Sequence, residues 1–344
     1  MSARRESFRG ALAWVFFGLV VSVLPVMAQQ SIVLVAAGSE LPEGLFLNWN
    51  AEYARSVVGT SIGYLPLGTD EGKRQMQQGV ADLGGGDAPL TGEQLQNSRG
   101  KVIQVPVAVV GIAVVCNVPG VKQELNLTGP VLADIFLSKV TKWNDPEIAK
   151  LNPGVTLPPA GILVLHRSKG KGANYIFSDY LSRVSPEFKA KIGRGLSPNW
   201  VTGTSLARAE DVLFQVKDTD GAIAYVELNL AWKDGVALAH LRNANGEFVK
   251  PTPTSVAAAA AQAQVGEDFR GSLDNAPGKE SYPIIGFTWL YVPEMAKDLS
   301  RQKEVKAYVS WLLGAGQAVV AKLGFGPLPE PVAAKAKARL ALLK

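Results

Sequence analysis

Arg167, Ser168, Lys169, Gly170, Lys171 and Gly172 form a basic, glycine-spaced loop. It follows the apolar run Ile162-Leu163-Val164-Leu165 and precedes Tyr175, Ile176, Phe177, Tyr180 and Leu181, which recur at helical spacing. A loop that leaves a strand and opens a helix presents unpaired N–H groups and the positive end of the helix dipole, which suits an anion. Arg167 adds a planar fork of donors that matches oxyanion oxygens. The same residues also fit a solvated basic turn. They do not complete the phosphate loop of nucleotide enzymes, because Gly172-Ala173 follows Lys171. Asp87 closes the glycine-dense Asp82-Leu83-Gly84-Gly85-Gly86-Asp87. An acid there either caps a turn or helix or faces a ligand. Thr69, in Gly68-Thr69-Asp70-Glu71-Gly72, is placed to cap a helix running through Lys73, Met76 and Gln77, its hydroxyl accepting an orphan N–H.

Other chemistry lacks its parts. His166 and His240 are the two histidines, and no H-E-x-x-H, C-x-x-C or G-x-S-x-G set accompanies them. No carboxylate cluster with metal-ligand spacing stands out, so neither cofactor nor metal is expected. The lone cysteine, Cys116, sits in an apolar run and reads as a small buried hydrophobe. Binding is favoured over catalysis, and the chain is read as a non-enzyme.

The elements that position these residues alternate between strands and helices. Ser31–Ala37 reads as a buried strand, Leu45–Ser56 as a helix, Ser61–Leu67 as a strand. Val102–Asn117 is too long for one ordinary strand and reads as two joined at Gly111, crossing between lobes. Pro146 fits a first helical position. Gly221–Val226 reads as a strand, Thr252–Gln264 as an Ala-rich helix, Tyr282–Val292 as a return crossing and Lys303–Leu323 as an amphipathic helix.

The 344 residues suffice for two domains, and 47% apolar with 19% charged residues argues against disorder. Arg4, Arg5, Arg9 and Glu6 account for part of the net charge of +5 and leave the rest with 32 basic and 29 acidic residues. That excess is too mild for nucleic acid. The basic start, the apolar stretch Ala11–Met27 and the small Ala28 before Gln29 read as a secretory signal over 1–28, with an uncleaved anchor as the alternative.

Four segments carry a family resemblance. They are ADLGGGDAPL (Ala81–Leu90), LADIFLSKVTKWNDPEIAKLNPGVTLP (Leu132–Pro158), GAIAYVE (Gly221–Glu227) and YPIIGFTWLYV (Tyr282–Val292). On these the chain resembles the periplasmic phosphate-binding proteins of phosphate ABC transporters, from about Ile32 to the C-terminal helix. The resemblance implies an α/β fold of two lobes, a type II solute-binding fold with two crossing strands. The lobes are expected at 29–110 plus 285–344 and at 111–284. It implies capture of inorganic phosphate, or a related oxyanion, by a monomer in the periplasm that delivers it to the permease subunits in the inner membrane. Carried over position by position, Asp87 matches the carboxylate that accepts the proton of hydrogen phosphate and so rejects sulfate. Arg167 matches the arginine, Thr69 a hydroxyl, and Gly172 a main-chain donor.

Four positions depart from the pattern. The family's Thr-Phe pair is Glu40-Leu41, and its Ser-Gly-Thr is Lys171-Gly172-Ala173. Glu40, Leu41, Lys171 and Ala173 keep main-chain N–H groups, while hydroxyl donors are lost. Glu40 brings a negative charge to the site and Lys171 a positive one, so the two are expected to pair across the cleft or Lys171 to replace the missing donor. Two further readings stand beside the transport receptor: a binding-protein fold with weakened anion capture that serves as an envelope sensor or interaction protein, and an exported phosphate-ester hydrolase, which lacks a visible nucleophile–base pair.

Overall fold

Ile32–Gly38 (β1) is a short apolar run that alternates outward only at its start. It pairs in parallel with Thr60–Pro66 (β2) and Leu83–Gly86 (β3). Between them lie the helices Glu43–Ser56 (α1) and Thr69–Gln77 (α2). Such strand–helix–strand units build a parallel sheet whose loops gather at the strands' C-terminal ends. The computed structural model describes residues 31–97, 101–262, 264–269, 271, 273–294 and 298–343, and residues 31–344 form one unit. The expected leader, 1–28, lies outside the described residues.

After Gly92–Asn97 (α3), Val102–Cys116 (β4) runs as one strand of 15 residues, every one buried. The two strands expected on either side of Gly111 are therefore continuous, because β4 changes partner without breaking. Up to Gly111 it pairs antiparallel with Ile285–Pro293, and from Ile112 onward with Ala222–Glu227. The chain then passes through Asn126–Leu127 (β5), Gly129–Phe136 (α4) and Pro146–Ala149 (α5), where Pro146 leads as expected and Asp145 supplies the cap. Leu163–Arg167 (β6) feeds Gly172–Val184 (α6), followed by Pro186–Lys191 (α7), Thr204–Leu206 (β7) and Ala209–Asp218 (α8). Ala222–Glu227 (β8) leads into Leu228–Asp234 (α9), His240–Arg242 (β9), Phe248–Val249 (β10) and Pro253–Ala260 (α10). Ile285–Pro293 (β11), Leu299–Leu312 (α11) and Glu330–Ala341 (α12) complete the order.

Eight strands join in the order β2-β1-β3-β11-β4-β8-β6-β7, and β10-β9-β5 form a small separate sheet. Strands β4 and β11 stand at the centre, antiparallel to each other, with one parallel set on either side. Two helices are shorter than their composition suggests. The Ala-rich one is fixed at its start by a Thr252–Ser255 capping box and ends at Ala260. The other, α11, begins on an Asp298 cap and stops at Leu312, and 3-10 turns at Ala315–Val319 and Ala321–Leu323 replace the rest. The Trp49 indole donates to the Gly316 carbonyl at 2.7 Å, tying those turns to α1. Cys116 is buried, and burial pushes its thiol up to about 12. His166 is buried against the Trp200 ring.

Candidate functional site

The polar residues of the site stand at the ends of the parallel strands or directly after them. Ser39 and Glu40 follow β1, Asp87 follows β3, Arg167 ends β6 and Glu227 ends β8. The two parallel sets turn these ends toward each other. The Glu40 carboxylate accepts from Arg167 Nη2 at 2.8 Å and from Lys171 Nζ, across 127 and 131 residues of chain.

Arg167 is 1% exposed, the more unusual because a guanidinium is costly to bury unpaired. Its Nη1 donates to Glu227 Oε1 at 2.9 Å, and Nη2 donates also to the Ala207 carbonyl at 3.0 Å. Its Nε and Glu227 Oε2 are buried without hydrogen-bond partners. Burial works against the Arg167 charge, but Glu227 and Glu40 beside it outweigh burial and hold its pKa above the ordinary value. Glu40, Arg167 and Glu227 line a cleft of about 220 Å³ together with Glu43, Pro66, Arg208, Ala209, Glu210 and Leu230.

Asp87 occupies a different environment. Its Oδ2 accepts the Ser39 hydroxyl, and its Oδ1 is buried with no partner. Burial pushes its carboxyl up to about 7, against the hydroxyls of Ser39 and Thr288, with the Glu227 charge raising it further and the Lys73 charge opposing. Lys73 is itself buried, and burial lowers its pKa against the pull of Asp70 and Asp87. Its ammonium lies 5.6 Å from the Tyr291 ring centre.

The loop between β6 and α6 closes onto Asp87. A Cβ at Gly172 would overlap the Asp87 carboxylate, so only glycine permits this approach. The carboxylate therefore stands at the first turn of α6, where helix donors are unpaired within the helix. Gly68, at φ +100°, is the N-cap of α2, and no side chain caps that end. Thr69 is thus not the cap. It is the first helical residue, and its hydroxyl accepts the Asp87 N–H at 3.3 Å.

All eight residues singled out from the sequence gather here. Glu40, Arg167 and Lys171 form one ion-paired group. Asp87, Thr69 and Gly172 form another. Leu41 is buried and donates its N–H to Ser39 Oγ at 3.2 Å, and Ala173 is buried in the first turn of α6. The expected pairing of Glu40 with Lys171 is present, and Arg167 joins it. Ser39 and Glu227 went unassigned in the sequence reading, although Ser39 neighbours Glu40 and Glu227 closes GAIAYVE. Among the described residues no group of three or more His, Cys, Asp or Glu could hold a metal ion, and no helix is long and apolar enough to cross a membrane.

The family model of the PBP superfamily domain matches residues 25–315. The phosphate-binding protein PstS of Xylella fastidiosa (strain Temecula1) is 36% identical over 313 residues, 90% of this chain and 85% of that protein. PstS of Haemophilus influenzae is 32% identical over 327 residues, 94% of this chain and 96% of its own length. Among solved structures, a high-affinity periplasmic phosphate-binding protein (PfluDING) with phosphate bound superposes with a TM-score of 0.70 at 21% identity, over 89% of this chain and 93% of its own. An ABC-type phosphate transport receptor from Vibrio cholerae gives 0.59 at 16% identity, over 85% and 99%. At those identities the two structures speak for the fold alone, a two-lobed α/β binding protein. The sequence matches, which span most of both chains, go further: this chain belongs to the PBP superfamily and, within it, to the PstS family of phosphate-binding proteins.

Proposed function

We propose that the protein is a periplasmic receptor that captures hydrogen phosphate between two lobes and delivers it to an ABC permease in the inner membrane. The observation that carries this reading is that one strand–loop–helix segment holds both a buried arginine, Arg167, at the end of β6 and, at the start of α6, Gly172 against the buried carboxyl of Asp87. A guanidinium supplies donors to phosphate oxygens, and an ionised Asp87 accepts the one proton that hydrogen phosphate has to give. Sulfate has no such proton at neutral pH and meets a bare carboxylate. The eight residues Glu40, Leu41, Thr69, Asp87, Arg167, Lys171, Gly172 and Ala173 are proposed to contact the anion or position the groups that do.

The lobes are proposed as 29–110 plus 285–344 and 111–284. Gly111 and Ile285 are register partners at the point where β4 leaves β11 for β8, which supports a hinge there. The receptor acts as a monomer, and capture and release involve no bond making. A second reading, an envelope sensor with weakened anion capture, draws on one observation: Glu40 already engages Arg167 and Lys171. Calorimetric titration separates the two. Saturable binding of one phosphate per chain is expected of the receptor, and absence of heat with phosphate, sulfate or other small oxyanions would refute it.

A further inference from the structure

We propose that Glu40 is an internal ligand of the anion site: its carboxylate bridges Arg167 and Lys171 where the arriving anion must bind, clasps the two sides of the cleft, and is displaced when phosphate enters. This rests on the phosphate-receptor reading and adds to it the competition that sets affinity.

Glu40 offers one oxygen to each of two cations, Oε2 to Arg167 and Oε1 to Lys171. That is the contact an oxyanion would make with the same pair. Arg167 keeps its Nε–H and one Nη1 hydrogen uncommitted, but its Nη2, the end turned to Glu40, is fully engaged. Both hydrogens of Nη2 are committed, to Glu40 and to the Ala207 carbonyl, and Nη1 serves Glu227. An anion that takes Nη2 must therefore displace Glu40 or the Ala207 carbonyl, and of the two only Glu40 is a side chain able to swing away. Charge leads to the same conclusion. Arg167 and Lys171 are balanced by Glu40 and Glu227, so a dianion added without displacing a carboxylate would enter a group with no net positive charge.

Glu40 is the partner able to leave. Glu227 is held at the end of β8 and its side chain is 3% exposed, whereas that of Glu40 is 28% exposed. Glu40 borders the cleft of about 220 Å³, which gives its carboxylate space. Arg208 lines the same cleft with its side chain 69% exposed and only a long, exposed 3.4 Å pair to Glu210, a cation that can receive it. A carboxylate monoanion is displaced by a ligand with more charge and more acceptor oxygens. Tetrahedral dianions therefore compete better than chloride, nitrate or simple carboxylates.

The test compares the full chain with E40Q, which keeps size and removes charge. Phosphate affinity is measured by calorimetry, and the compaction of the ligand-free protein by small-angle scattering. The account expects phosphate to bind E40Q about tenfold or more tighter. It also expects the ligand-free wild type to be as compact as the phosphate-bound form, and ligand-free E40Q to be more open and to close on adding phosphate. Equal affinity in the two proteins would overturn the displacement and leave the receptor reading standing. If neither protein binds phosphate the receptor reading falls, and scattering still decides the clasp: identical ligand-free profiles overturn it. Circular dichroism on E40Q confirms that both readouts come from folded protein.

Discussion

Asp87 and Arg167 are each 1% exposed, yet their surroundings differ in kind. Around Asp87 the partners are neutral: a serine hydroxyl, a threonine hydroxyl taking its N–H, and glycine backbone close by. Burial is opposed there only by the Ser39 and Thr288 hydroxyls and the Lys73 charge, and the carboxyl is driven up to about 7. Around Arg167 the partners are charged, two glutamates and, through Glu40, a lysine. One wall of the proposed site thus leaves a proton undecided near neutrality, and the other neutralises its own charge in advance. By the resemblance drawn from the sequence, the first keeps the family's residue types at Thr69 and Asp87, and the second departs from them at Glu40, Lys171 and Ala173. On the proposed reading, proton recognition and charge recognition are separable in this molecule, and the substitutions below act on one wall or on the contact between them.

Arg167→Ala is expected to have the largest effect. Losing a charge-assisted, desolvated contact weakens phosphate binding by on the order of 2–5 kcal/mol. The same change leaves Glu227 buried and unpaired and lowers stability by about 3–5 kcal/mol. Adding Glu227→Gln should recover much of the melting temperature and none of the binding. Wild-type phosphate affinity in the single variant would remove Arg167 from the site.

Asp87→Asn acts on the other wall. The carboxyl titrates at about 7 in the folded protein and at its ordinary value, 3.8, when unfolded. Between those values the native state holds a proton that the unfolded state has lost, so wild-type stability falls as pH rises through that window. The loss totals on the order of 4 kcal/mol and is complete above about pH 7. The asparagine variant lacks this slope. It should melt higher than wild type near pH 8 and no higher near pH 3, where both forms of the aspartate are largely protonated. Parallel melting curves across that range would show that Asp87 does not carry the shift.

Gly172→Ala joins the two walls, because its Cβ would meet the Asp87 carboxylate. A cost of about 1–3 kcal/mol to stability is expected, with weaker phosphate binding, since the loop must back away from α2 and β3. Unchanged melting and affinity would mean that the close approach is dispensable.

The smallest effect expected is the coupling between Glu40 and Lys171. Glu40→Thr should tighten phosphate binding, Lys171→Ser should weaken it, and the double variant should depart from additivity by about 1 kcal/mol, as for neighbours sharing one ion pair. Strictly additive changes would separate the two residues.

Much of this arrangement was legible in the sequence, because local pattern and function coincide there. The apolar runs became β1, β4, β6, β8 and β11, and Gly111 marked the place where β4 changes partner. Arg167 and the glycine-spaced loop were visible because strand, loop and helix are contiguous. Spacing puts Thr69 in the right helix but not in its right task, since spacing does not tell a cap from a first-turn residue whose hydroxyl turns to another strand. The second partner of Glu40 was not legible. Pairing it with Lys171 follows from opposite charges at two departures from one pattern, but Arg167 reaches it from the other parallel set, 127 residues away along the chain. Ser39 and Glu227 were hidden for the same reason, their partners lying 48 and 60 residues away.

The central claim is that Asp87 reads the proton of hydrogen phosphate, and competition by sulfate tests it most directly. Near pH 8 Asp87 is mostly ionised, and about a hundredfold excess of sulfate should leave phosphate binding to the wild type unchanged. Near pH 5.5 the carboxyl is protonated and can donate, and sulfate should begin to compete. Equal displacement of phosphate by sulfate at both pH values would contradict the account.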